Sequence, residues 1–543
     1  MRTISVAALY IGFLFGFAAA AENSQQRVDQ IFAAYDKTDS PGCALGVIRD
    51  GAFIYRRGYG AASLELRVPL SPASVFYMGS VSKQFTAASV VLAAEQGFLS
   101  LDDDIRKYIP ELPDYGHTIT LRQMLHHTSG FRDFLTLLSY SGGDASAIHS
   151  DKEIIDLIAR QKGLNNVPGD EFIYSNTNYY LLGEVLKRAT GKSLAEFASE
   201  NIFRPLGMGS TRYYDDHSVV LPGRVSAYDT GAGGKFLVDW STSFDIVGAG
   251  GLMSSVDDLL LWDSNFYNNR LGKGTLLKEL QTPGVLNSGK PIAYALGLEL
   301  GAYRGLSIVE HDGALYGYRT AILRFPEQRF TVLCLCNLSS ANTWGMTRKV
   351  ADIYLEKSLG PAAGAGVTSN TPRFPDPAPF AGKYLDPRNH SLYSFTSSGG
   401  KLMAWGADLR QVGPNQFNDL GTGTITFDGS GGNMSATLVM DGDTFFAGKR
   451  IEDLHLTNAQ LATYTGRFRS AEVGAVYTLS IEGGSLLLRL NWNPPLKLNP
   501  IATDQFENED LGTIIFQRNA SQQVSGLSLS SARARGVLFQ KTD

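Results

Sequence analysis

At 543 residues the chain is too long for one compact core, and a typical domain of about 150 residues places two to four of them along it. Its 43% hydrophobic and 19% charged residues are globular composition. A formal net charge of -5 and a pI near 6.0 leave no basic footprint, so nucleic acid is excluded as an expected partner.

Residues 1–21 carry one early positive charge (Arg2), an apolar run from Val6 to Phe17, and four alanines before Glu22. This is the pattern of a secretory signal peptide, which predicts a periplasmic or secreted mature chain starting at residue 22. The apolar run is short for a membrane span, and no later run reaches spanning length, so no membrane span is expected after cleavage. No cysteine follows the alanines, which argues against a lipid anchor. The three cysteines, Cys43, Cys334 and Cys336, are an odd number and cannot all pair within the chain. All three sit in apolar, strand-like stretches and read as small buried hydrophobes. No metal-ligand spacing and no cofactor motif appears.

After a short helix at residues 27–37, residues 42–60 alternate about an Asp50-Gly51 turn and predict a β-hairpin. A helix from about Ser80 follows, then mostly helical sequence over 95–200, with segments at 121–127, 151–162, 177–190 and 194–202. Gly248-Ala-Gly-Gly-Leu252 ends a loop before a helix at 256–266. Strand patterns return at 308–314, 316–325 and 329–338, and a helix at 347–359 closes the region. An early hairpin, a helical middle and three late strands predict an α/β domain over 22–359, one antiparallel sheet covered by helices. A Pro/Gly/Ala-rich linker spans 360–379. Beyond it, 380–452 and 453–543 nearly repeat one another. Phe380-Ala-Gly-Lys-Tyr384 echoes Tyr464-Thr-Gly-Arg-Phe468, and Gln416-Phe417 with Phe427 echoes Gln505-Phe506 with Phe516. Two small antiparallel β-barrels are expected.

Within residues 76–92 the only charge is Lys83, three residues after Ser80. On the first turn of a helix the two side chains share a face. A serine hydroxyl is a poor nucleophile without a base within about 3 Å, and Lys83 is placed to supply it. The apolar flank from Phe85 to Leu92 would bury the pair, and the helix start offers free N–H groups to developing negative charge. The same four-residue pattern recurs at Ser398–Lys401, in a stretch that reads as a hairpin turn. Two further motifs lie in the first domain: Tyr174-Ser175-Asn176 at a helix start and His311-Asp312-Gly313 on a strand. A rival Tyr-x-Asn stands at Tyr267–Asn269.

Taken in order, Met78-Gly-Ser-Val-Ser-Lys-Gln-Phe-Thr86, Leu125-His-His-Thr-Ser-Gly130, Tyr174-Ser-Asn-Thr-Asn178 and Gly248-Ala-Gly-Gly-Leu252 resemble the penicillin-recognising serine hydrolases. That group includes class C β-lactamases, D-alanyl-D-alanine carboxypeptidases, related esterases and D-aminopeptidases. The likeness covers residues 27–358, and the paired β units look most like the three-domain D-aminopeptidases. The resemblance implies an acyl-enzyme on Ser80, proton traffic shared by Lys83 and Tyr174, and hydrogen bonding by Asn176. It also implies an oxyanion hole from the N–H groups of Ser80 and Ala314, beside Gly313. His311 stands where class C β-lactamases carry lysine, which implies a charge that depends on pH. Asp312 stands where carboxypeptidases usually carry threonine, so an aspartate facing the substrate would attract an ammonium group. The expected partner is a small peptide, amide or ester, including cell-wall fragments; the oligomeric state is left open.

The leading expectation is therefore an exported serine hydrolase of D-amino-acid amides or peptides. The alternatives are an esterase, a β-lactamase or DD-carboxypeptidase, and a cell-wall or β-lactam sensor that acylates without turnover.

Overall fold

The computed structural model describes residues 23–143, 147–239, 245–361, 374–404, 407–418, 423–440, 443–452, 454–491 and 494–542. The expected signal peptide and most of the expected linker lie outside the described residues. The chain forms two compact units. One joins the residues before Ser100 to Leu186–Pro283 and Tyr294–Ala362; the other joins Ser100–Val185 and Gly284–Ala293 to the C-terminal residues.

The first unit is built on a six-stranded antiparallel sheet. Its strand order is Glu299–Tyr303, Leu306–Leu315, Tyr318–Phe325, Phe330–Cys336, Cys43–Arg49, Ala52–Tyr59. The early hairpin thus pairs with the late strands, as the sequence pattern predicts. The edge strand Glu299–Tyr303 is an addition to that pattern. The hairpin turn needs two left-handed residues, and Asp50 (φ 51°) and Gly51 (φ 79°) supply them. Alternation along Cys43–Arg49 sends Cys43, Leu45 and Val47 into a cluster with Val332, Cys334, Val350 and Ala351. On the other face Gly46 leaves room for the helix Val256–Asn268, since a Cβ there would lie 2.6 Å from Val256 Cγ1. The closing helix is Thr343–Tyr354, beginning earlier than expected because the Asn342 side chain caps the Gly345 N–H at 2.7 Å.

The cysteines differ from the expectation. Cys43 and Cys336 face each other across adjacent strands and form a disulfide, and Cys334 remains a buried thiol. Alternation alone shows that Cys43 and Cys336 are buried; it does not show that their strands are neighbours.

In the second unit both β units are closed eight-stranded antiparallel barrels. The first runs from Gly382–Leu385 to Asp443–Ile451 and the second from Gly466–Arg469 to Val537–Thr542, each sealed by pairing of its first and last strands. The sequence echo is an echo of the cores. Phe380 and Phe417 pack on Phe427 with ring centroids 4.9 and 5.7 Å away, and Tyr464 and Phe506 pack on Phe516 at 4.7 and 5.4 Å. Ser398 and Lys401 flank a Gly399-Gly400 hairpin turn, as expected. Among the described residues no helix is long and apolar enough to cross a membrane.

Within this unit the second barrel is tied to the helical segment by a buried ion pair. Arg132 donates to Glu472 at 2.6 Å, with side chains 6% and 3% exposed. Glu472 also accepts the N–H groups of Lys162 (2.9 Å) and Leu538 (3.1 Å). Removing one partner of such a pair strands a buried charge, whereas replacing both by apolar groups is often tolerated. Glu472→Leu should destabilise the protein by about 3 to 5 kcal/mol in chemical denaturation, and adding Arg132→Met should recover much of the loss. A single-variant loss below about 1 kcal/mol, the scale of an exposed pair, would contradict this account.

Candidate active site

In the first unit, strand Phe76–Tyr77 pairs with Leu252–Ser254 and leads into a tight turn. Gly79 has φ 53°, and a Cβ on it would lie 2.8 Å from the Ala314 nitrogen. A Cβ on Gly313 would meet the Met78 carbonyl oxygen at 2.2 Å. Only a glycine–glycine contact lets this turn and the strand Leu306–Leu315 come so close. Ser80 sits on the resulting 3-10 turn, Gly79–Ser82, which runs into the helix Lys83–Glu95.

That helix is buried from Lys83 through Ala93, with Lys83 itself 0% exposed. Two of its polar side chains find partners across the packing: Gln84 Oε1 accepts from the Trp262 indole at 2.6 Å, and Thr86 donates to the Gly248 carbonyl at 2.7 Å. Lys83 Nζ donates to Ser80 Oγ at 3.0 Å and to the Ala249 carbonyl at 2.7 Å. The Gly248-Ala-Gly-Gly-Leu252 motif thus has a physical role. Gly248 (φ 112°) and Gly251 (φ 88°) bend the loop, the Gly251 N–H donates to the Tyr77 hydroxyl at 2.9 Å, and Ala249 turns its carbonyl onto the buried ammonium.

His311 is buried on the same sheet, on the strand whose pairing with Glu299–Tyr303 stops at Glu310. Its Nδ1 lies 2.6 Å from the Asp312 carbonyl oxygen, which only accepts, so Nδ1 carries a proton. Nε2 is left to accept from the Tyr294 hydroxyl at 3.2 Å. Burial pushes the imidazole down to about 4, with the Lys83 charge adding to that effect against the opposing pull of Asp312. The implied pH-dependent cation is therefore a neutral hydrogen-bonding ring at pH 7. Asp312 and Ala314 alternate with His311 and Gly313 and are exposed.

The second unit holds Tyr174 and Asn176. The Leu125–Gly130 motif holds the segment on which they sit. His127, in the left-handed region at φ 56°, accepts the Ser175 N–H at 3.2 Å and packs its ring on Tyr174 with centroids 4.3 Å apart. Asp133 caps the helix Phe134–Ser141 through the Thr136 N–H and accepts the Asn176 N–H at 2.6 Å. Asn176 opens the helix Asn176–Thr190. The Arg533 guanidinium, on the last inter-strand connection of the second barrel, stands 4.8 Å from the Tyr174 ring centroid. The rival Tyr267 lies inside the helix Val256–Asn268 instead, under Arg329. Nothing in the sequence singled out Tyr294, Asp133 or Arg533; the Gly248–Gly251 run was a readable signal whose role was not.

The Beta-lactamase family pattern matches residues 28–353. The chain belongs to the beta-lactamase family. It is a serine hydrolase, and its family match ends before the two barrels. The relatives extend further. A D-aminopeptidase of Brucella canis is 25% identical over 535 residues, covering 92% of this chain and 96% of its own. Among solved structures, the octameric penicillin-binding protein homologue from Pyrococcus abyssi superposes with a TM-score of 0.55 at 20% identity, covering 87% of this chain and 98% of that one. The D-amino acid amidase from Ochrobactrum anthropi SV3, complexed with L-phenylalanine amide, gives 0.52 at 22% identity over 62% of this chain and 99% of that one. At these identities the two superpositions establish the fold.

The neutral His311 makes a pH prediction for this family member. Its folded value, about 4, lies below the 6.5 of a free imidazole, so between those limits the unfolded chain binds the extra proton. The contribution is complete above pH 6.5 and is lost as pH falls towards 4, at up to ~1.4 kcal/mol per unit. His311→Gln should flatten that part of the stability profile measured by denaturation between pH 4 and 7. An unchanged slope would show that the imidazole charges freely in the fold.

Proposed function

We propose that the protein is an exported D-aminopeptidase-type hydrolase that works through an acyl-enzyme on Ser80. The observation that carries this reading is the 3.0 Å hydrogen bond between Lys83 Nζ and Ser80 Oγ at the head of a buried helix. Likeness to D-aminopeptidases over both the sheet domain and the barrels supports the substrate class.

In this reading Ser80 Oγ bonds to the substrate carbonyl carbon while the carbon–nitrogen bond breaks. The serine proton reaches the leaving amine through Lys83 and Tyr174, which keep it available between the two steps. Water then bonds to the acyl carbon, its proton returns to Ser80 Oγ, and the acid leaves. The N–H groups of Ser80 and Ala314 receive the oxyanion, on the close approach that Gly79 and Gly313 permit. Asn176 hydrogen-bonds the substrate amide. His311 contributes a neutral ring and orients Tyr294. Asp312, exposed on the strand, draws a substrate ammonium group.

A panel of D- and L-aminoacyl anilides, D-Ala-D-Ala, nitrocefin and p-nitrophenyl esters tests the proposal. D-aminoacyl anilides with a free amine should give the highest kcat/KM. Ser80→Ala should abolish turnover and fluorophosphonate labelling, and Ser398→Ala should not. Lys83→Ala and Tyr174→Phe should each lower turnover by about a hundredfold or more. Asp312→Thr should shift preference away from free-amine substrates. Esters turned over in preference to every D-aminoacyl anilide would refute the peptidase reading, and labelling that survives Ser80→Ala would refute the nucleophile.

Export is supported by the amino-terminal pattern and by the Cys43–Cys336 disulfide, which suits an oxidising compartment. Intact mass of protein recovered from a bacterial host should give a chain beginning at Ala21 or Glu22. Retention of Met1 in the recovered protein would count against it.

A further inference from the structure

We infer that Arg533 is a specificity-determining residue, binding a single carboxylate carried by the substrate in a cleft of the second unit. The inference deepens the proposed function and rests on Tyr174 belonging to the reaction centre.

The cleft has a volume of about 410 Å³ and is lined by Asp133, Thr136 and Ser139 from the start of one helix and by Asp510, Ser531 and Arg533 from the second barrel. That size suits a small peptide. Residues 531–536 form the connection that carries Arg533, and its backbone is clamped. The Arg533 carbonyl accepts from the Asp133 N–H at 2.9 Å and from Asn165 Nδ2 at 3.0 Å, and Asn165 Oδ1 accepts the Arg535 N–H at 2.8 Å.

The two arginines of this connection are used differently. Arg535 forms an ion pair with Glu171 at 3.1 Å. Arg533 is exposed and, among the described residues, makes no ion pair and no side-chain hydrogen bond. Its guanidinium carbon lies over the Tyr174 ring, 4.8 Å from the centroid. A cation–π contact uses the charge of the guanidinium and takes none of its five N–H donors as a conventional hydrogen bond, so a ligand can use them. A planar carboxylate matches that fork with two parallel hydrogen bonds.

The other charges lining the cleft narrow the choice of anion. Asp133 is buried and its oxygens are taken by the N–H groups of Thr136 and Asn176, so it does not compete for Arg533. Asp510 is exposed and repels a ligand bearing several negative charges, which favours one carboxylate over a phosphate. The exposed Ser139 hydroxyl on the lining adds a further donor.

Two matched substrate pairs test this in the full-length protein. D-Ala-D-Ala against its C-terminal amide places the carboxylate on the leaving side, and D-Glu against D-Gln p-nitroanilide places it on the acyl side. In at least one pair, Arg533→Met should lower the carboxylate-to-amide ratio of kcat/KM by about tenfold or more, mainly through KM, as loss of a charge-assisted hydrogen bond implies. Arg533→Lys should restore part of the ratio, and Arg533→Gln, which keeps a polar side chain, should behave as Arg533→Met. Ratios within about twofold of the wild type in both pairs would overturn the assignment. So would a wild type that disfavours the carboxylate in both. Fluorophosphonate labelling keeps the two proposals separate: if labelling depends on Ser80 and the ratios do not move, only Arg533 is misassigned, whereas turnover surviving Ser80→Ala removes the parent reading.

Discussion

A lysine with no exposed surface has to find acceptors, and the first unit is arranged around meeting that demand for Lys83. Leaving an ammonium unpaired in an apolar interior would cost several kcal/mol or neutralise the group. The Ser80 hydroxyl and the Ala249 carbonyl meet it, the first from the preceding turn and the second from a loop 166 residues along the chain. Each acceptor imposes a further constraint. Presenting Ala249 takes two left-handed glycines and the Tyr77 hydroxyl beneath them. Presenting Ser80 takes Gly79 in the left-handed region, pressed against Gly313 and the Ala314 nitrogen. The same packing that satisfies a buried charge therefore brings a hydroxyl, a cation and two backbone N–H groups into one small volume.

In the second unit Tyr174 is half-buried, and the groups packed on its ring are anchored to each other as well. His127 is held in a left-handed conformation by its contacts with Ser175 and Asn178, Asp133 bonds Asn176, and the connection bearing Arg533 bonds Asp133 and Asn165. The buried Arg132–Glu472 pair fixes the turn of the second barrel beside this region. A tyrosine ring restrained on two contacts is held in a defined orientation.

The barrels repeat in their cores and differ in several connections. Each is centred on an aromatic trio at equivalent places, which explains why the sequence echo falls on Phe, Tyr and Gln positions. Between the last two strands the first barrel has two residues and the second has six, 531–536. A longer connection can reach a neighbouring element without disturbing the ladder, because loops carry little of the core. That is where the two modules acquired different surroundings from similar folds.

What the sequence by itself determined was mostly local. The Ser80–Lys83 spacing, the Asp50-Gly51 turn, the strand alternation and the Ser398–Lys401 hairpin were legible because each rests on residues a few positions apart whose geometry one turn of backbone dictates. The barrel repeat was legible because similar cores need similar residues at matching places. The sequence order also foretold that the early hairpin joins the late strands, but the tertiary structure decided which individual residues from far along the chain meet. Cys43 meets Cys336 across a separation of 293 residues, and Arg132 meets Glu472 across 340. Arg533 stands over Tyr174 only because a barrel closes and its last connection lands beside a particular helix start. The charge of His311 belongs to the same class: the residue type sets an ordinary value of 6.5, and burial beside Lys83 moves it to about 4. Burial is a property of the packed chain, and no spacing in the sequence encodes it.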